Sequence, residues 1–584
     1  MKRGSKVFAR GLALTLALTS VLGAVGCNKN ADDSTTTVIK VANYGGGVGK
    51  KWLDEAIVRF QTLIGDRSYE EGKTGVKFEI TDSTGVSCEG MKTDGKHLFF
   101  LQDKYSTYFA EIQKGSVMDI TDIVTEETLS EYGENVTIES KIDEDYRFAM
   151  KGNDGKYYMI PHYETLSGPS YDVDLFEEEG FYFAASDEGA AYDCPLTGQK
   201  YYFTEGALGS YNEKSVGNDG KSGTFDDGMP TTLNELVAMC GYIKSKGVYP
   251  FGVAGNHIDY SSHLLEALWT GLAGYEGRQA VVSHTGKVEY VTGESSKELW
   301  AGTGIKVPDT DVDENVTSKT AWKAIDHVAR YYAFAFMELA YQQNWFYEEF
   351  KKGGYTHKDA MKSFILNGIG GNPKIASHIE GTYWYNEAKN KHGLFTTYET
   401  YTGTAVKNIA HWHMPTSYAN DPVTSEENAR EEANTNTFTS NIMINGNIAE
   451  REGLARACKD FVKFLCTEQE LQNFTASTGV SKALYNYTID DTVLSQLDPY
   501  QKTVMSLRAN NRIVNQYGDN ATYRANANIM TYACSSPGYR PDYNNQVYNA
   551  VLDVIYRKGI TGYDCFRLTG YEASNWETNY YVAD

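Results

Sequence analysis

After residue 25 the chain has no apolar run long enough to cross a bilayer, which excludes a polytopic membrane protein. It has no CxxC pair at zinc-like spacing, so its eight cysteines frame no structural zinc site. It has no excess of positive charge. Lys and Arg total 54 against 77 Asp and Glu, a formal charge of −23, and such a surface repels nucleic acid and anionic lipid. No internal repeat is present. GxSxG, HExxH and a catalytic Cys–His signature are all missing, so no hydrolase motif is positioned. Abundant carboxylates without such a motif do not indicate glycosidase chemistry.

What is present begins at the first residues. Lys2, Arg3, Lys6 and Arg10 precede an apolar stretch from Leu12 to Val25 that ends in Gly26-Cys27. A basic head, a short apolar body and a small-residue cut site make a secretory leader. A cysteine at the cut site resembles the lipobox of bacterial lipoproteins, with Ala24 where leucine is commonest. Residues 28–37 are polar and read as a tether. The expectation is a protein outside the cytoplasm, held to the membrane by lipid on Cys27. Discounting the four basic residues of the leader takes the charge from −23 to −27. A neutral ligand suits that surface. Forty-four tyrosines, each with an apolar face and a polar tip, suit a hydroxyl-rich one. The seven cysteines left after Cys27 are odd in number and read as no disulfide framework. Cys240 and Cys458 lie on apolar helical faces as core residues.

Val38–Ala42 reads as a strand. Trp52, Leu53, Ala56, Ile57, Phe60 and Leu63 follow at helical spacing, then strands at 76–80 and 98–101. This order predicts an α/β lobe with a largely parallel sheet. Pro230–Leu236 opens a helix capped by Thr231 or Thr232. Leu454 to Leu465 is an amphipathic helix, and Val547 to Ile555 marks another. Residues 181–228 and 277–317 read as irregular insertions.

Three patterns invite metal or phosphate readings. Gly45–Lys50 lies between strand and helix, but Tyr44 and Lys51 stand where a P-loop needs glycine and Ser or Thr. The glycines still let backbone approach a ligand, which makes Tyr44 and Gly46 binding candidates. His411-Trp412-His413 shows no third ligand and reads as ordinary polar histidines. Asp219, Asp226 and Asp227 lie in an oxygen-rich loop that suggests Ca²⁺ without matching EF-hand spacing, so the reading is no cofactor and a solvated turn.

Taken in order, the segments resemble the carbohydrate-type (family 1) extracellular solute-binding proteins of ABC importers, the group that includes maltose-binding protein. The pieces are Val38–Gly47, Lys114–Asp122, Lys156–Pro161, Tyr171–Phe176, Pro230–Leu236, Glu380–Trp384 and Phe461–Glu470. The resemblance implies an α/β two-lobe periplasmic-binding-protein-like fold with hinge crossings and a ligand cleft. It implies a monomer that captures a sugar and delivers it to permease subunits, without catalysis. It implies lobe 1 from residues 38–162 and 437–482, and lobe 2 from residues 163–436 and 483–584, after a leader at 1–26 and a tether at 27–37. It places crossings near 161–167, 434–440 and 480–484. Carried over locally, it makes Asp103 and Lys104 an acid–base pair against hydroxyls and Glu164 a hydroxyl acceptor beside His162 and Tyr163. Tyr383 and Trp384 become stacking rings, and Asn256, His257 and Tyr260 a further polar and aromatic loop. A secreted glycan-active enzyme and an adhesive surface lipoprotein remain the alternatives.

Overall fold

A computed structural model describes residues 35–103, 105–255, 258–437, 440–526 and 550–583. The first strand, Thr37–Tyr44, runs parallel to Val76–Ser83 on one side and Leu98–Gln102 on the other. Ser440–Ile444 and Met159–Pro161 then extend the sheet through antiparallel pairings. Four strands of this five-stranded sheet thus run the same way, and Ser440–Ile444, from distant sequence, runs against them. Ile39 and Val41 are fully buried on one face of this first strand, while Lys40 on the other face is exposed. The helix Lys51–Ile64 packs one face with Trp52, Leu53, Ala56, Ile57, Phe60 and Ile64. Phe60 meets Phe461 at a ring distance of 5.0 Å, which seats the amphipathic helix Glu452–Leu465 on the same lobe. Arg59 grips Glu470 with two bonds of 2.7 Å and ties in the helix Glu468–Thr478.

The second sheet has four strands in the order Ile409–His411, Pro169–Asp172, Ile375–Ile379, Tyr249–Gly252. Its helices include Leu233–Ser245, which Thr232 and Glu235 start with a reciprocal capping box. Val328–Gln342 is almost wholly buried against its neighbours Ile258–Ser283 and Gly562–Thr569. Cys88, Cys194, Cys240, Cys458, Cys466 and Cys565 are buried free thiols. Among the described residues no helix is long and apolar enough to cross a membrane.

The two stretches read as irregular are partly regular. Residues 181–228 contain the hairpin Ala190–Asp193 with Lys200–Phe203. Residues 277–317 contain the end of the long helix and a ribbon of Val288–Glu298 with Lys306–Asp313. The outer half of that ribbon is exposed on both faces, so it carries no apolar alternation to betray it.

The chain leaves the first sheet at Pro161 and enters the second at Pro169; it leaves the second at His411 and rejoins the first at Ser440. The crossings are bonded to one another. Thr165 N–H donates to Asn436 Oδ1 at 3.1 Å, and Thr437 N–H to Thr165 O at 2.7 Å. Glu164 N–H donates to Ser481 O at 3.2 Å, and Ser167 N–H to Thr435 O at 3.2 Å.

Asn445, fully buried at the end of its strand, pins the loop beside the first sheet. Its Nδ2 donates to Met91 O at 2.6 Å and to Lys96 O at 2.9 Å. Asn445→Ala removes these buried side-chain donations and the loop contacts they hold, a cost of about 1–3 kcal/mol. The expected outcome is a lower thermal transition by calorimetry, with far-UV circular dichroism unchanged at room temperature.

Candidate functional site

The site is built where the carboxyl end of the first strand meets the second lobe. Gly47 adopts φ +59°, and a Cβ there would lie 3.0 Å from Tyr163 Oη and 3.7 Å from Tyr383 Cβ. Both the left-handed backbone and the close approach require glycine. Its N–H donates to Glu387 Oε1 at 2.9 Å, a buried bond from the first lobe to the second. Gly46 packs under the ring of Tyr44, which a Cβ would meet at 2.8 Å. Tyr163 donates to Gln102 Oε1 at 3.1 Å. Tyr44, Gly46, Tyr163 and Tyr383 therefore share one neighbourhood.

The first crossing carries His162 and Glu164. His162 lies among Trp52, Phe100 and Phe474, with Lys482 Nζ donating to its Nδ1 at 3.0 Å. Burial, then the Lys482 charge, pushes His162 far below the usual imidazole range, so the ring is neutral. Burial also pulls Lys482 down to about 7. Glu164 is buried and accepts from Ser481 Oγ and from Arg508 Nε, the latter at 3.0 Å. Its Oε1 is thus held by Ser481 and Arg508. Asp103, half-buried, is bound to its own lobe, accepting from Ser87 Oγ at 2.6 Å.

On the second lobe the structure separates the two expected rings. Trp384 is fully buried, donates from Nε1 to Ser170 Oγ at 2.9 Å and Tyr500 Oη at 3.2 Å, and packs on Phe364, His378 and Tyr385. It is a core residue here, with no face presented to the seam. Its expected role came from a local motif in which adjacent residues face opposite ways. Tyr383, beside His263 at 6.1 Å between ring centroids, is the ring at the seam. Tyr260 is half-buried and stacks on His357 at 5.3 Å and 21°. Lys104, Asn256, His257 and Cys27 lie outside the described residues.

Several buried polar groups here had no motif to announce them. Glu380 Oε2 lies 3.1 Å from His378 Nε2, while Glu380 Oε1 is buried without a hydrogen-bond partner. Burial, then the Glu387 carboxylate, drives Glu380 well above the carboxylate range, and burial holds His378 near 3. The contact is therefore a hydrogen bond between neutral partners and not an ion pair. Ser167 Oγ lies 3.1 Å from His263 Nδ1 and donates to Glu266 Oε2 at 2.6 Å. A nucleophile triad would place histidine between serine and acid. Here the serine bonds both, is 1% exposed, and is braced to Thr437 Oγ1 at 2.7 Å. The arrangement offers acceptors and aromatic faces, without an activated nucleophile.

The calcium reading places Asp219, Asp226 and Asp227 around Thr224, whose Oγ1 lies 2.7 Å from Asp226 Oδ1 and 3.2 Å from Asp227 Oδ1. Asp219 N–H donates to Asp226 Oδ2 at 3.0 Å, and Gly223 N–H to Asp227 Oδ2 at 2.6 Å. The loop's own donors occupy these oxygens. His413 bonds Glu432 at 2.7 Å, and among the described residues neither it nor His411 joins a cluster of three ligand atoms.

Two outcomes follow from this geometry. Trp384→Ala should cost about 3–5 kcal/mol through the cavity it opens. It should appear as a large fall in melting temperature, and an unchanged melt would contradict the core placement. Glu380 keeps in the folded state a proton that the unfolded chain releases near pH 4.3, so its contribution is full below about pH 4.3 and is lost as pH rises towards its raised folded value. Glu380→Gln should therefore show a shallower decline of melting temperature between about pH 4 and pH 8 than the parent, with a higher value at neutral pH.

No family model matches the chain, and no curated protein sequence matches it. Solved structures do. Maltose-bound MalE3 of T. maritima superposes with a TM-score of 0.50 at 14% identity, covering 92% of this chain and 99% of that one. A family 1 extracellular solute-binding protein from Bifidobacterium longum subsp. infantis gives 0.46 at 14% identity, covering 93% and 100%. The first match carries the fold, and with the two sheets and their bonded crossings it shows that this chain has the two-lobe architecture of the periplasmic solute-binding proteins.

Proposed function

We propose that this protein is a lipid-anchored solute-binding protein that captures a neutral carbohydrate, an oligosaccharide by preference, between its lobes and delivers it to the permease of an ABC importer. The observation that carries the reading is the seam itself. The glycine turn of one lobe meets Tyr383 and Glu387 of the other, at the carboxyl ends of strands, where open α/β sheets bind ligands. Tyrosine rings suit the C–H faces of a sugar ring, and carboxylate and amide groups suit its hydroxyls. The leader, Cys27 and the tether support placement on the outer membrane face, and the acidity of the mature chain favours an uncharged ligand. MalE3, whose structure holds maltose, shares the fold at low identity and supports the ligand class.

A thermal-shift screen of neutral mono- and oligosaccharides tests the reading, because a ligand that binds only the folded state raises the melting temperature. At least one oligosaccharide should stabilise the protein and remain chemically intact. Stacking of an aromatic ring on a ligand is worth roughly 1–3 kcal/mol, so Tyr383→Ala should weaken that sugar about tenfold or more by calorimetry. Ligand turnover would point to an enzyme, and no response to any sugar would remove the carbohydrate assignment.

A further inference from the structure

We propose that His357, Glu387 and His392 form a binding site for one divalent first-row transition-metal ion of zinc type, on the second lobe's side of the seam. One ligand atom from each of the three lies within 4.8 Å of the others. Two imidazoles and a carboxylate are the donor set that zinc and its neighbours take when one coordination position is left open.

Local structure explains why the three converge. His357 is the first residue of the helix His357–Ile365, whose start is fixed by a capping box between Thr356 and Asp359. Glu387 opens a single π-helical turn, Glu387–Lys391, and His392 follows it directly. The bond from His392 N–H to Glu387 O at 2.9 Å closes that turn. A π turn sets residues i and i+5 on one side, where an α-helix would separate them.

The surroundings orient the ligands. Tyr260 stacks on the ring of His357. Gly47 N–H holds Glu387 Oε1, and Lys391 Nζ stands 3.6 Å from the same oxygen, which leaves Oε2 for an ion. His392 Nε2 is buried without a hydrogen-bond partner, a costly state that a metal bond would relieve. Zinc bonds of about 2.0–2.1 Å in tetrahedral geometry set ligand atoms roughly 3.4 Å apart, so movements of about an ångström or so complete the site. Lys391 competes for the carboxylate, and its exposed side chain is able to turn to solvent. The strongly acidic chain raises the local cation concentration. Glu387 is also the residue that meets the glycine turn, so a bound ion would fix the carboxylate on which the two lobes touch.

The site stands independently of the sugar assignment and is tested without any sugar. The mature chain, tag-free and stripped with a chelator, is titrated with Zn²⁺ by calorimetry and with Co²⁺ by visible absorption. One Zn²⁺ per chain is expected, with Co²⁺ d–d bands of a four-coordinate nitrogen–oxygen site. His392→Ala, His357→Ala and Glu387→Gln should each weaken Zn²⁺ by at least tenfold and abolish the Co²⁺ bands. His392→Gln replaces His392→Ala if the latter alters the metal-free melt or circular dichroism. Asp226→Asn should leave the affinity unchanged. Failure to take up a stoichiometric ion overturns the proposal. So does unchanged affinity in the histidine variants, or loss in Asp226→Asn, because the ion would then be held elsewhere.

Discussion

The mutual hydrogen bonding of the crossing segments is the constraint on which the rest of the molecule depends. Residues 162–168 cannot shift without breaking the bonds of Thr165 to Asn436 and Thr437, of Ser167 to Thr435, and of Glu164 to Ser481. Leu166 adds a reciprocal pair with Thr382, its N–H to Thr382 Oγ1 at 3.0 Å and its carbonyl from Thr382 N–H at 2.9 Å. Backbone that passes between two sheets loses its ladder partners, and buried peptide groups must find others. Threonine, serine and asparagine supply them here, which is why the crossings are polar although buried. The same bonds set where Tyr163 and Tyr383 stand relative to Gly47.

Burial at this junction has an electrostatic consequence. His162, His263 and His378 are all pushed down by desolvation, and Glu266 and Glu380 are pushed up. The groups avoid charge where water is excluded. Arg278 sits 3.7 Å from Glu266 and 3.8 Å over the ring of Trp269, so its cation is compensated by a carboxylate and an aromatic face. The three histidines and Glu380 thus bring neutral hydrogen-bonding groups to the junction. Charge is kept where it is paired, as in Glu164 with Arg508 at 3.0 Å, and at the corner at Glu387, where a carboxylate lies beside two imidazoles and a backbone N–H.

Elements with a covered apolar face were legible. The strand at Val38–Ala42, the helix from Trp52, the Thr232 cap and the helix from Leu454 all appear within a few residues of their expected bounds. The ribbon Val288–Glu298 with Lys306–Asp313 was not legible, because its exposed strands leave no periodic trace. Trp384 shows the limit of motif reading. Its position beside Tyr383 was correct as sequence, but the turn of chain there points one ring to the seam and buries the other against Tyr500.

What the sequence determined by itself follows from local chemistry: a strongly acidic chain, the α/β order of strands and helices, and glycines where backbone must come close. These depend on composition and on periods of two and 3.6 residues. The tertiary structure alone decided which groups meet. Gly47 and Glu387 are 340 residues apart, and Glu164 and Ser481 are 317 apart. His357 reaches Glu387 and His392 only because a helix start and a π turn face each other. Such meetings depend on chain crossings and side-chain direction, and neither leaves a repeat or spacing in the sequence.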